Sequence, residues 1–539
     1  MEDCKFIHLK EPNTLSLFLT KEERQTIKSL KITGYIGDED FFEVLDDMCT
    51  AWGEYDDDDN FIVDYEETPA LRHLDMGEAQ LAGCEGLSEL GYHAPLETLI
   101  LPQGVKTLGF EFFSESENLR TLELPKGLRN VSGFMSCPNL TNLTLPEGLE
   151  EIHSYAFAGC TAITAIRIPA SVKVFDGSCF ASCNIKAYEI DKDNPYFTAI
   201  DGVVYSKNLS TLVAFPSAYP AKHFVIPDTT RKIGVSAFDG SRIESVEFPV
   251  GISIIEDWAF TGSTIRCIDL PNSVTSIGKG AFRHCWQLEH IRLPNRLEEI
   301  PTQLFSSCPK LKIIDVPSNV RKLYYSAVAW SRGLEQLLLH DGLEEIVDEG
   351  PMLGCGGNLQ ELVFPKTLRK VQGGLFNYSS LIKSYHVAPD NSYFCVIDGA
   401  LYSKDRKILY AVPDPERSDF TIAEGTEVIA EKAFFGLSKL ETVTMSNSLH
   451  EIGDRAFQDC CQLKSIRLPE NVTSIGAYFL LSCDKIESIT IDAKIPPQMT
   501  GHVREDMWEF RKVKLLVPKG CSILYKNAPG WNCFIISEQ

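Results

Sequence analysis

Short stretches in which apolar and polar residues alternate recur along the chain, and each is followed at once by proline. Two examples are LEHIRLP at 288–294 and LKSIRLP at 463–469. The alternation has the period of a β-strand that is buried on one side only. Because proline cannot donate a ladder hydrogen bond, it ends each strand. The pattern therefore predicts many short strands.

A second motif follows each strand and turn, with the form I-G-x-x-A-F-x-x-C. It reads SIGKGAFRHC at 276–285 and EIGDRAFQDC at 451–460. The Ala-Phe pair and the small residue after it predict a second buried wall opposite the strand. One strand motif and one Ala-Phe motif together make one repeating unit.

The unit recurs in steps of about 23 residues, which is the signature of a solenoid. His340 takes the place of proline in one unit. Cysteines follow the same step in three series, Cys137, Cys160 and Cys183, then Cys285 and Cys308, then Cys460 and Cys483. The prolines that follow the strands are Pro102, Pro125, Pro146, Pro169, Pro227, Pro249, Pro271, Pro294, Pro317, Pro365 and Pro469.

These features predict an α/β repeat solenoid of the leucine-rich-repeat type, a right-handed coil of about 15 turns. One strand per turn would stack in parallel to form a sheet on one face. Each turn would bury its apolar side only against its neighbours. We expect the periodic cysteines to be buried free thiols, because their position also accepts Ser241 and Ser263. A disulfide between turns would need two thiols turned toward each other.

Two intervals of 58 residues break the period, from Pro169 to Pro227 and from Pro365 to Ala423. Each holds a copy of one module, DNPYFTAIDGVVYSK at 193–207 and DNSYFCVIDGALYSK at 390–404. Asp-Gly between alternating apolar residues predicts a tight hairpin turn. We therefore expect β-hairpins near 185–222 and 382–419 that bulge from one edge of the solenoid. Their role stays open between a stiffening spacer and an arm that contacts a ligand.

The two ends of the chain depart from the repeat, so we predict an α/β capping region at 1–70 and a second cap at 492–539. Thr20 and Glu23 form a capping box for a helix through Leu30. A second helix from Asp38 would share one apolar face, and LSLFL at 15–19 and SLKITG at 29–34 suggest strands. These caps would cover the first and last turns of the repeat region, 71–491.

Composition and charge narrow the classes of function. The 539 residues hold 51 basic and 75 acidic side chains, a net charge of −24, which disfavours nucleic acid as a partner. Residues 1–70 alone hold 19 acidic and 6 basic residues. No apolar run approaches the roughly 20 residues that cross a bilayer, so we expect no membrane insertion. The start of the chain lacks the basic and apolar regions of a secretory signal, although a cleaved chain would lack them too.

The two motifs and their flanks resemble the BspA-like leucine-rich repeat proteins over roughly residues 71–491. LRHLDMGEAQL at 71–81 is similar to the first repeat of that group, and 515–539 is similar to its closing segment. Members are largely surface or secreted proteins of host-associated microbes, and some resemble adhesins. The resemblance therefore implies a protein or glycan partner, with host matrix among the candidates. It favours an extracellular or cell-surface location, with a cytoplasmic one as the alternative.

Motifs for catalysis or cofactor binding are missing from the sequence. H-E-x-x-H, the P-loop, G-x-S-x-G and C-x-x-C do not occur. His284, Cys285 and His290 are close in sequence, but we expect their side chains to point apart. We therefore predict no catalytic residues, no metal and no cofactor. Carboxylate pairs are plentiful, and an extended sheet can host acids that cleave glycans.

Outward-facing positions of the predicted sheet are the candidate binding residues. Leu338 and Val363 indicate either an apolar contact patch or ground covered by the second hairpin module. Trp286 and Trp330 precede their strands and either anchor a partner or pack on the turn. The remaining candidates form a mixed charged strip of Glu247, Arg266, Asp269, His290, Arg292, Lys312 and Asp315.

Three hypotheses of function follow. The first is a non-catalytic binding or adhesion protein that presents an extended repeat surface to a protein or glycan. The second is a carbohydrate-active enzyme with a site on the sheet. The third is an intracellular scaffold, which the free thiols and the missing signal would suit.

Overall fold

Short strands joined by tight turns make up nearly all of the regular structure. The computed structural model describes residues 4–50, 53–55, 61–63, 69–110, 112–347, 358–372, 382–500 and 512–539. The chain folds into two units, Met1–Arg266 and Cys267–Gln539.

The strands of the Met1–Arg266 unit are β1 (Cys4–Leu9), β2 (Ser29–Ile36), β3 (Gly53–Tyr55), β4 (Phe61–Val63), β5 (His73–Leu81), β6 (Gly86–Leu87), β7 (Thr98–Ile100), β8 (Thr107–Leu108), β9 (Thr121–Glu123), β10 (Asn130–Val131), β11 (Asn142–Leu143), β12 (Glu151–Ile152), β13 (Ala165–Ile168), β14 (Ala187–Ile190), β15 (Phe197–Ile200), β16 (Val203–Ser206), β17 (Thr211–Ala214), β18 (His223–Val225), β19 (Lys232–Ile233), β20 (Ser245–Glu247) and β21 (Ile254–Ile255).

Two parallel ladders run through this unit. The front ladder holds β1, β2, β5, β7, β9 and β11, followed by the pairs β13–β14 and β18–β20. The back ladder holds β6, β8, β10 and β12, and later β17, β19 and β21. In the front ladder Leu30, Leu74, Leu99 and Leu122 stand in register, and all four are buried. The leucines of the strand motif thus form one continuous apolar column, as the repeat predicts.

The strands of the Cys267–Gln539 unit are β22 (Cys267–Asp269), β23 (Ser276–Ile277), β24 (His290–Arg292), β25 (Glu299–Ile300), β26 (Ile313–Asp315), β27 (Lys322–Tyr324), β28 (Gln336–Leu338), β29 (Glu345–Val347), β30 (Glu361–Phe364), β31 (Lys370–Val371), β32 (Ser384–Val387), β33 (Phe394–Ile397), β34 (Ala400–Ser403), β35 (Ile408–Ala411), β36 (Asp419–Thr421), β37 (Val428–Ile429), β38 (Thr442–Thr444), β39 (Glu451–Ile452), β40 (Ser465–Leu468), β41 (Ser474–Ile475), β42 (Ser488–Ile491), β43 (Gln498–Met499), β44 (Lys514–Val517) and β45 (Ile535–Glu538).

The second unit repeats the two-ladder plan. Its front ladder consists of the pairs β22–β24, β26–β28, β30–β32 and β36–β38 and the run β40–β42–β44–β45. Its back ladder consists of β25, β27, β29 and β31, and then β35, β37, β39, β41 and β43. The two units hold about 21 turns in all. The expected number, about 15, is too low because the terminal segments and both modules also add front strands.

Proline shapes the turn between the two ladders. Its carbonyl accepts a hydrogen bond from the N–H three residues later, as in Pro125 with Leu128 at 3.1 Å and Pro271 with Val274 at 3.0 Å. The residue that closes each of these turns is buried. The proline therefore ends the front strand and begins the β-turn that delivers the next apolar side chain to the core.

The Ala-Phe motif fills the interior with stacked phenylalanines. The rings of Phe157 and Phe180 have centroids 5.3 Å apart and planes 12° apart, and those of Phe434 and Phe457 lie 4.6 Å apart at 17°. Offset stacking of this kind adds about 1 kcal/mol to the burial of each pair. Aromatic and aliphatic side chains thus form continuous buried clusters, one from Ile7 to Ala214 and another from Ala400 to Phe534.

The periodic cysteines are buried free thiols, as predicted. Cys183 donates its S–H to the Phe157 carbonyl of the preceding turn at 3.1 Å. Burial raises the pKa of Cys183 to about 12. The same bond is made by Cys160, Cys308, Cys460 and Cys483. These five thiols are therefore donors that satisfy buried backbone. They stay protonated in the fold because the pKa of each is raised, by the neighbouring Cys137 thiol and then by burial for Cys160, and by burial for the others.

Each module begins with a buried asparagine that ties it to the preceding turn. The Asn194 amide donates to the carbonyls of Pro169, at 2.9 Å, and Val172, at 3.0 Å. Its oxygen accepts from the N–H groups of Tyr196 and Phe197, both at 2.8 Å. Asn391 makes the same four bonds in the second module. All four hydrogen-bonding positions of this side chain are satisfied, which fixes the path of the loop.

A hairpin follows each of these asparagines, as predicted. Asp201 and Gly202 connect β15 to antiparallel β16 with φ of 50° and 77°, as a two-residue turn of this type requires. The Gly202 carbonyl accepts from Tyr188, and a side chain on Gly202 would lie 2.5 Å from the Ala187 Cβ. The hairpin therefore lies against β14 instead of bulging outward, and β17 returns the chain to the back ladder.

The N-terminal segment continues the front ladder. β1 and β2 pair in parallel with each other, and β2 pairs with β5. The capping box of Thr20 is present, but its helix, Lys21–Thr26, is shorter than expected. A second helical segment, Asp38–Cys49, buries Phe41, Leu45 and Met48.

The strand expected at 15–19 is absent from this described segment, where a 3-10 turn spans Leu15–Leu17. Two further 3-10 turns span Gly177–Phe180 and Tyr325–Val328. A helix at Ser522–Asn527 precedes β45. Beside it the indole N–H of Trp531, a residue with no exposed surface, donates to the Pro497 carbonyl at 2.8 Å. The Trp531 ring packs against Tyr525 and Phe534, with ring centroids 5.8 Å apart in each pair.

Candidate binding face

The front ladder of the Cys267–Gln539 unit presents two columns of exposed side chains. In each short strand the central residue points into the core, as Ile268, Ile314 and Leu337 do. The residues on either side therefore point outward, because successive side chains on a strand face opposite ways. One column holds Cys267, His290, Ile313, Gln336, Glu361 and Ser384, and the other holds Asp269, Arg292, Asp315, Leu338, Val363 and His386.

Most charges on this face are paired with a neighbour. Arg292 forms an ion pair with Asp269, which stands opposite it in register. The His340 Nε2 lies 2.6 Å from an Asp315 carboxylate oxygen. Lys312 pairs with Glu335 at 3.0 Å. Because these pairs are exposed, each contributes at most about 1 kcal/mol to stability, and their side chains remain available to a partner.

The two exposed apolar residues lie where the front ladder is interrupted. Leu338 ends β28 and is 39% exposed, and Val363 lies in β30 and is 54% exposed. In the described backbone these two strands belong to different hydrogen-bonded pairs. Both residues line one depression of about 660 Å³ whose other walls include Gln336, His340 and Glu361. Within the described residues, the second module does not cover this apolar surface.

The two predicted tryptophans lie in the turns before their strands. Trp286 is 52% exposed and stacks on His284, with ring centroids 5.3 Å apart. Burial, assisted by Arg283, lowers the pKa of His284, so the stack is with a neutral imidazole near pH 7. Trp330 is 39% exposed and has left-handed backbone with a φ of 58°. The Trp286 indole thus rests on its own turn, and both indoles present a face to solvent.

Nine of the eleven predicted binding residues lie in the Cys267–Gln539 unit. Glu247 and Arg266 belong to the other unit, where both are exposed and Glu247 ends β20 in register with Val225. The part that these eleven residues play in binding stays a prediction.

Sequence reasoning missed three residues of this face. Ile313 is 49% exposed on β26. It comes directly before the buried central residue of that strand, so the alternation of the strand could have predicted that it points outward. Cys267 is exposed in register with His290. His340 was noted only for its place in the proline column, because its contact with Asp315 spans 25 residues and departs from the period.

Metal and membrane chemistry find little support in the described ranges. Searched together, those ranges hold no group of three His, Cys, Asp or Glu side chains placed to bind a metal. Cys285 is buried in the core while His290 lies on the exposed face. The described helices are all too short or too polar to span a bilayer.

One carboxyl group in the Met1–Arg266 unit has a strongly shifted pKa. Burial raises the pKa of Asp239 to about 7, and the negative charge of Asp176 adds to the shift. Asp176 is itself held by Ser178, whose N–H donates to it at 2.8 Å, and by the hydroxyl of Ser154 at 3.2 Å. This pair lies in the turns beside the back ladder and is separate from the predicted sheet face.

The paired ladders and the buried Phe-Cys column define the class: each unit is a parallel β-solenoid of the leucine-rich-repeat type. The particular family follows from a family model described as BspA type leucine rich repeat region, in six copies. It matches residues 89–208, 213–335, 276–395 and 415–500. The chain belongs to this family, as the resemblance in its motifs implied.

Several solved structures of bacterial leucine-rich repeat proteins are similar to this chain. A leucine-rich repeat protein of Eubacterium ventriosum is 19% identical, with 60% of this chain and 86% of that chain covered and a TM-score of 0.44. One from Bacteroides ovatus is 20% identical over 84% and 94%, with a TM-score of 0.35. A leucine rich cell surface protein of Faecalibacterium prausnitzii is 21% identical over 56% and 83%, with a TM-score of 0.32. The curated proteins contain no match.

Proposed function

We propose that this protein is a non-catalytic binding protein that holds a protein or glycan partner on the front ladder of its Cys267–Gln539 unit. The observation that carries the proposal is the exposure of Leu338 and Val363 in one depression at a break in the ladder. Apolar surface framed by polar side chains is typical of contact sites. Stacked strands of repeat proteins serve as extended binding surfaces.

The charged residues of the face support binding more than hydrolysis. Asp269 and Asp315 are exposed, and each has a cationic or imidazole partner. A glycosidase needs one carboxylic acid in a water-poor pocket, where its proton is retained near neutral pH. The exposed face offers no such environment to these two acids.

Membership of the BspA-type family supports an extracellular setting with host matrix among the possible partners. The paired charges would then favour partners that accept and donate hydrogen bonds over those with a large net charge. Affinity would come from area and from a few apolar anchors, with Leu338 and Val363 at the centre.

The proposal is tested by capture on immobilised extracellular-matrix extract and on mixed glycans. We expect the full chain to bind, and Leu338→Asp with Val363→Asp to weaken binding at least tenfold. A charge in the centre of an apolar contact leaves an unpaired, desolvated group. The matched control is Val225→Asp, a residue of β18 in the other unit that is 55% exposed.

All three positions are exposed, so circular dichroism should show the same folded spectrum for every variant. Equal capture by wild type and the Leu338→Asp, Val363→Asp double variant would disprove the role of this face. Release of reducing sugar from the glycan mixture, abolished by removal of one carboxylate, would favour the enzyme instead.

A further inference from the structure

The two modules present the same exposed tyrosine. Tyr196 and Tyr393 follow their buried asparagines by two residues, and each is 51% exposed. In both modules the tyrosine N–H is bound by the asparagine oxygen at 2.8 Å, so the backbone beneath the ring is fixed in the same way. Tyr196 belongs to the Met1–Arg266 unit and Tyr393 to the Cys267–Gln539 unit.

Tyr196 stands at the end of a column of alternating charges. Glu150 lies 3.3 Å from Arg129 and 2.6 Å from Lys173, the last cation of the column. The hydrogen bond with Glu150 is the main cause that raises the pKa of Lys173, and Tyr196 adds to the rise. The Asn194 side chain that holds the Tyr196 N–H also donates to the carbonyl of Val172, the residue before Lys173, at 3.0 Å, so the phenol and the last cation of the column stand on neighbouring backbone.

The second module rebuilds this column with different residues. Glu344 lies 3.3 Å from Arg321 and 2.7 Å from Arg369. Glu344 is the main cause that raises the pKa of Arg369, and Tyr393 again adds to the rise. Arg321 and Glu344 also line a polar depression of about 870 Å³. Lysine has been replaced by arginine, yet the order cation, carboxylate, cation and tyrosine is kept.

The fold does not require these rings. The buried Asn194 and Phe197 hold the module, and the Lys207 ammonium braces it by donating to the Asn194 carbonyl at 2.7 Å. Two other exposed positions of the loop differ between the copies, with lysine at 192 against proline at 389 and proline at 195 against serine at 392, whereas the aspartates at 193 and 390 are kept. Two half-exposed tyrosines kept beside a charge column point to a ligand.

We propose that Tyr196 with Lys173 and Glu150, and Tyr393 with Arg369 and Glu344, are two equivalent subsites for a neutral sugar residue of a glycan. A pyranose ring can lie on the exposed face of tyrosine, because its C–H groups are apolar and the phenol edge is polar. Its hydroxyls can donate to the carboxylate and accept from the ammonium or guanidinium group. This inference goes beyond the proposed front-ladder site, because the tyrosines of both subsites lie in the modules.

The pairing of cations with carboxylates at both subsites favours a neutral ligand. Each cation already faces a carboxylate, so an anionic group would meet repulsion, and a cationic one would meet the cation. A protein partner is disfavoured because a stable interface needs about 1,000 Å² or more, whereas each tyrosine offers one ring and its neighbours. A glycan with repeating residues would suit two identical small subsites.

The experiment uses the full chain with soluble mannan, mixed-linkage β-glucan, xylan and galactan, and with dextran sulfate as the charged comparator. Affinity electrophoresis should show retardation by at least one neutral polysaccharide and none by dextran sulfate. Calorimetry with an oligosaccharide of that polysaccharide should give two sites per chain. Tyr196→Ala and Tyr393→Ala should each leave one site, and the double variant should lose binding at least tenfold.

Tyr196→Phe and Tyr393→Phe are the matched controls, and they should keep most of the affinity because the stacking face remains. Thermal unfolding of the alanine variants should match that of wild type, since both rings are half exposed. The inference is overturned if wild type binds none of the four neutral polysaccharides, if it prefers dextran sulfate, or if the double alanine variant binds as well as wild type. Leu338→Asp should leave this glycan binding intact, so equal matrix capture by wild type and the Leu338→Asp, Val363→Asp variant would count only against the front face.

Discussion

The Cys308 Sγ donates a hydrogen bond to the Phe282 carbonyl of the preceding turn, at 3.1 Å. Both side chains are fully buried. In the next turn Ser331 takes the cysteine position, and its hydroxyl bonds to the carbonyl of Phe305. The role of this position is therefore to supply one small donor to a buried carbonyl.

Cys308→Ala should lower the free energy of unfolding by about 1–2 kcal/mol, because it removes the donor and leaves the Phe282 carbonyl unpaired. Cys308→Ser should cost less than half as much, since the hydroxyl can donate as Ser331 does. Urea unfolding followed by circular dichroism measures both. Equal losses in the two variants would show that volume matters more than the hydrogen bond.

Asn194→Ala should be far more damaging, with a loss of about 3 kcal/mol or more. The substitution leaves two carbonyls and two N–H groups in a buried loop without a partner, and each costs about 1 kcal/mol or more. Asn139→Ala is the control, since it removes one exposed hydrogen bond to Glu117. Urea midpoints within the error of each other for the two variants would refute the anchoring role of Asn194.

The sequence was sufficient for the period, the buried cysteines and the hairpin turns, because these depend on spacing alone. It failed at 15–19, where Leu15 and Leu19 are buried and Leu17 is 79% exposed. Burial four residues apart is helical spacing, so the apolar run LSLFL was misread as a strand. The cap predicted at 1–70 stays a prediction, and in this segment β2 pairs with β5 along nearly its whole length.

The candidate sites could be predicted from the sequence only where their contacts follow the repeat period. Asp269 and Arg292 pair because they are 23 residues apart, one full turn. Tyr196 was not found, because its place beside Lys173 depends on the loop that Asn194 draws onto the preceding turn. The position of a side chain can be predicted from the repeat only where the period continues, and both modules interrupt the period.

Backbone conformation offers a route to higher stability. The residue before each periodic cysteine has left-handed backbone, with Gly159 at a φ of 75° and Ser136 at 58°. Because only glycine adopts this region without cost, Ser136→Gly should stabilise the chain by about 0.5–1 kcal/mol. Ala162→Gly, at a position without positive φ, should do the reverse. Thermal melting checks both, and a lower melting temperature for Ser136→Gly would contradict the argument.

The pH dependence of stability should carry a signature of Asp239. Its pKa is raised to about 7 in the folded chain by burial, and then by Asp176, whereas an unfolded aspartate titrates near its ordinary value of 3.8. Between those two values the folded state holds a proton that the unfolded state has lost. This contribution to stability is therefore complete below pH 4 and is lost as the pH rises toward 7.

Asp239→Asn should remove this effect, since the amide is neutral at every pH. Near pH 4 the variant and wild type should unfold at similar urea concentrations, and at pH 8 the variant should be more stable by about 2–4 kcal/mol. The control Asp228→Asn, at an exposed position in the same unit, should shift the midpoint equally at both pH values. Because wild type and the Asp239→Asn variant share all other carboxylates, the difference between their stabilities reports the titration of Asp239. A difference that does not grow with pH would show that Asp239 is ionised at little cost in the folded chain.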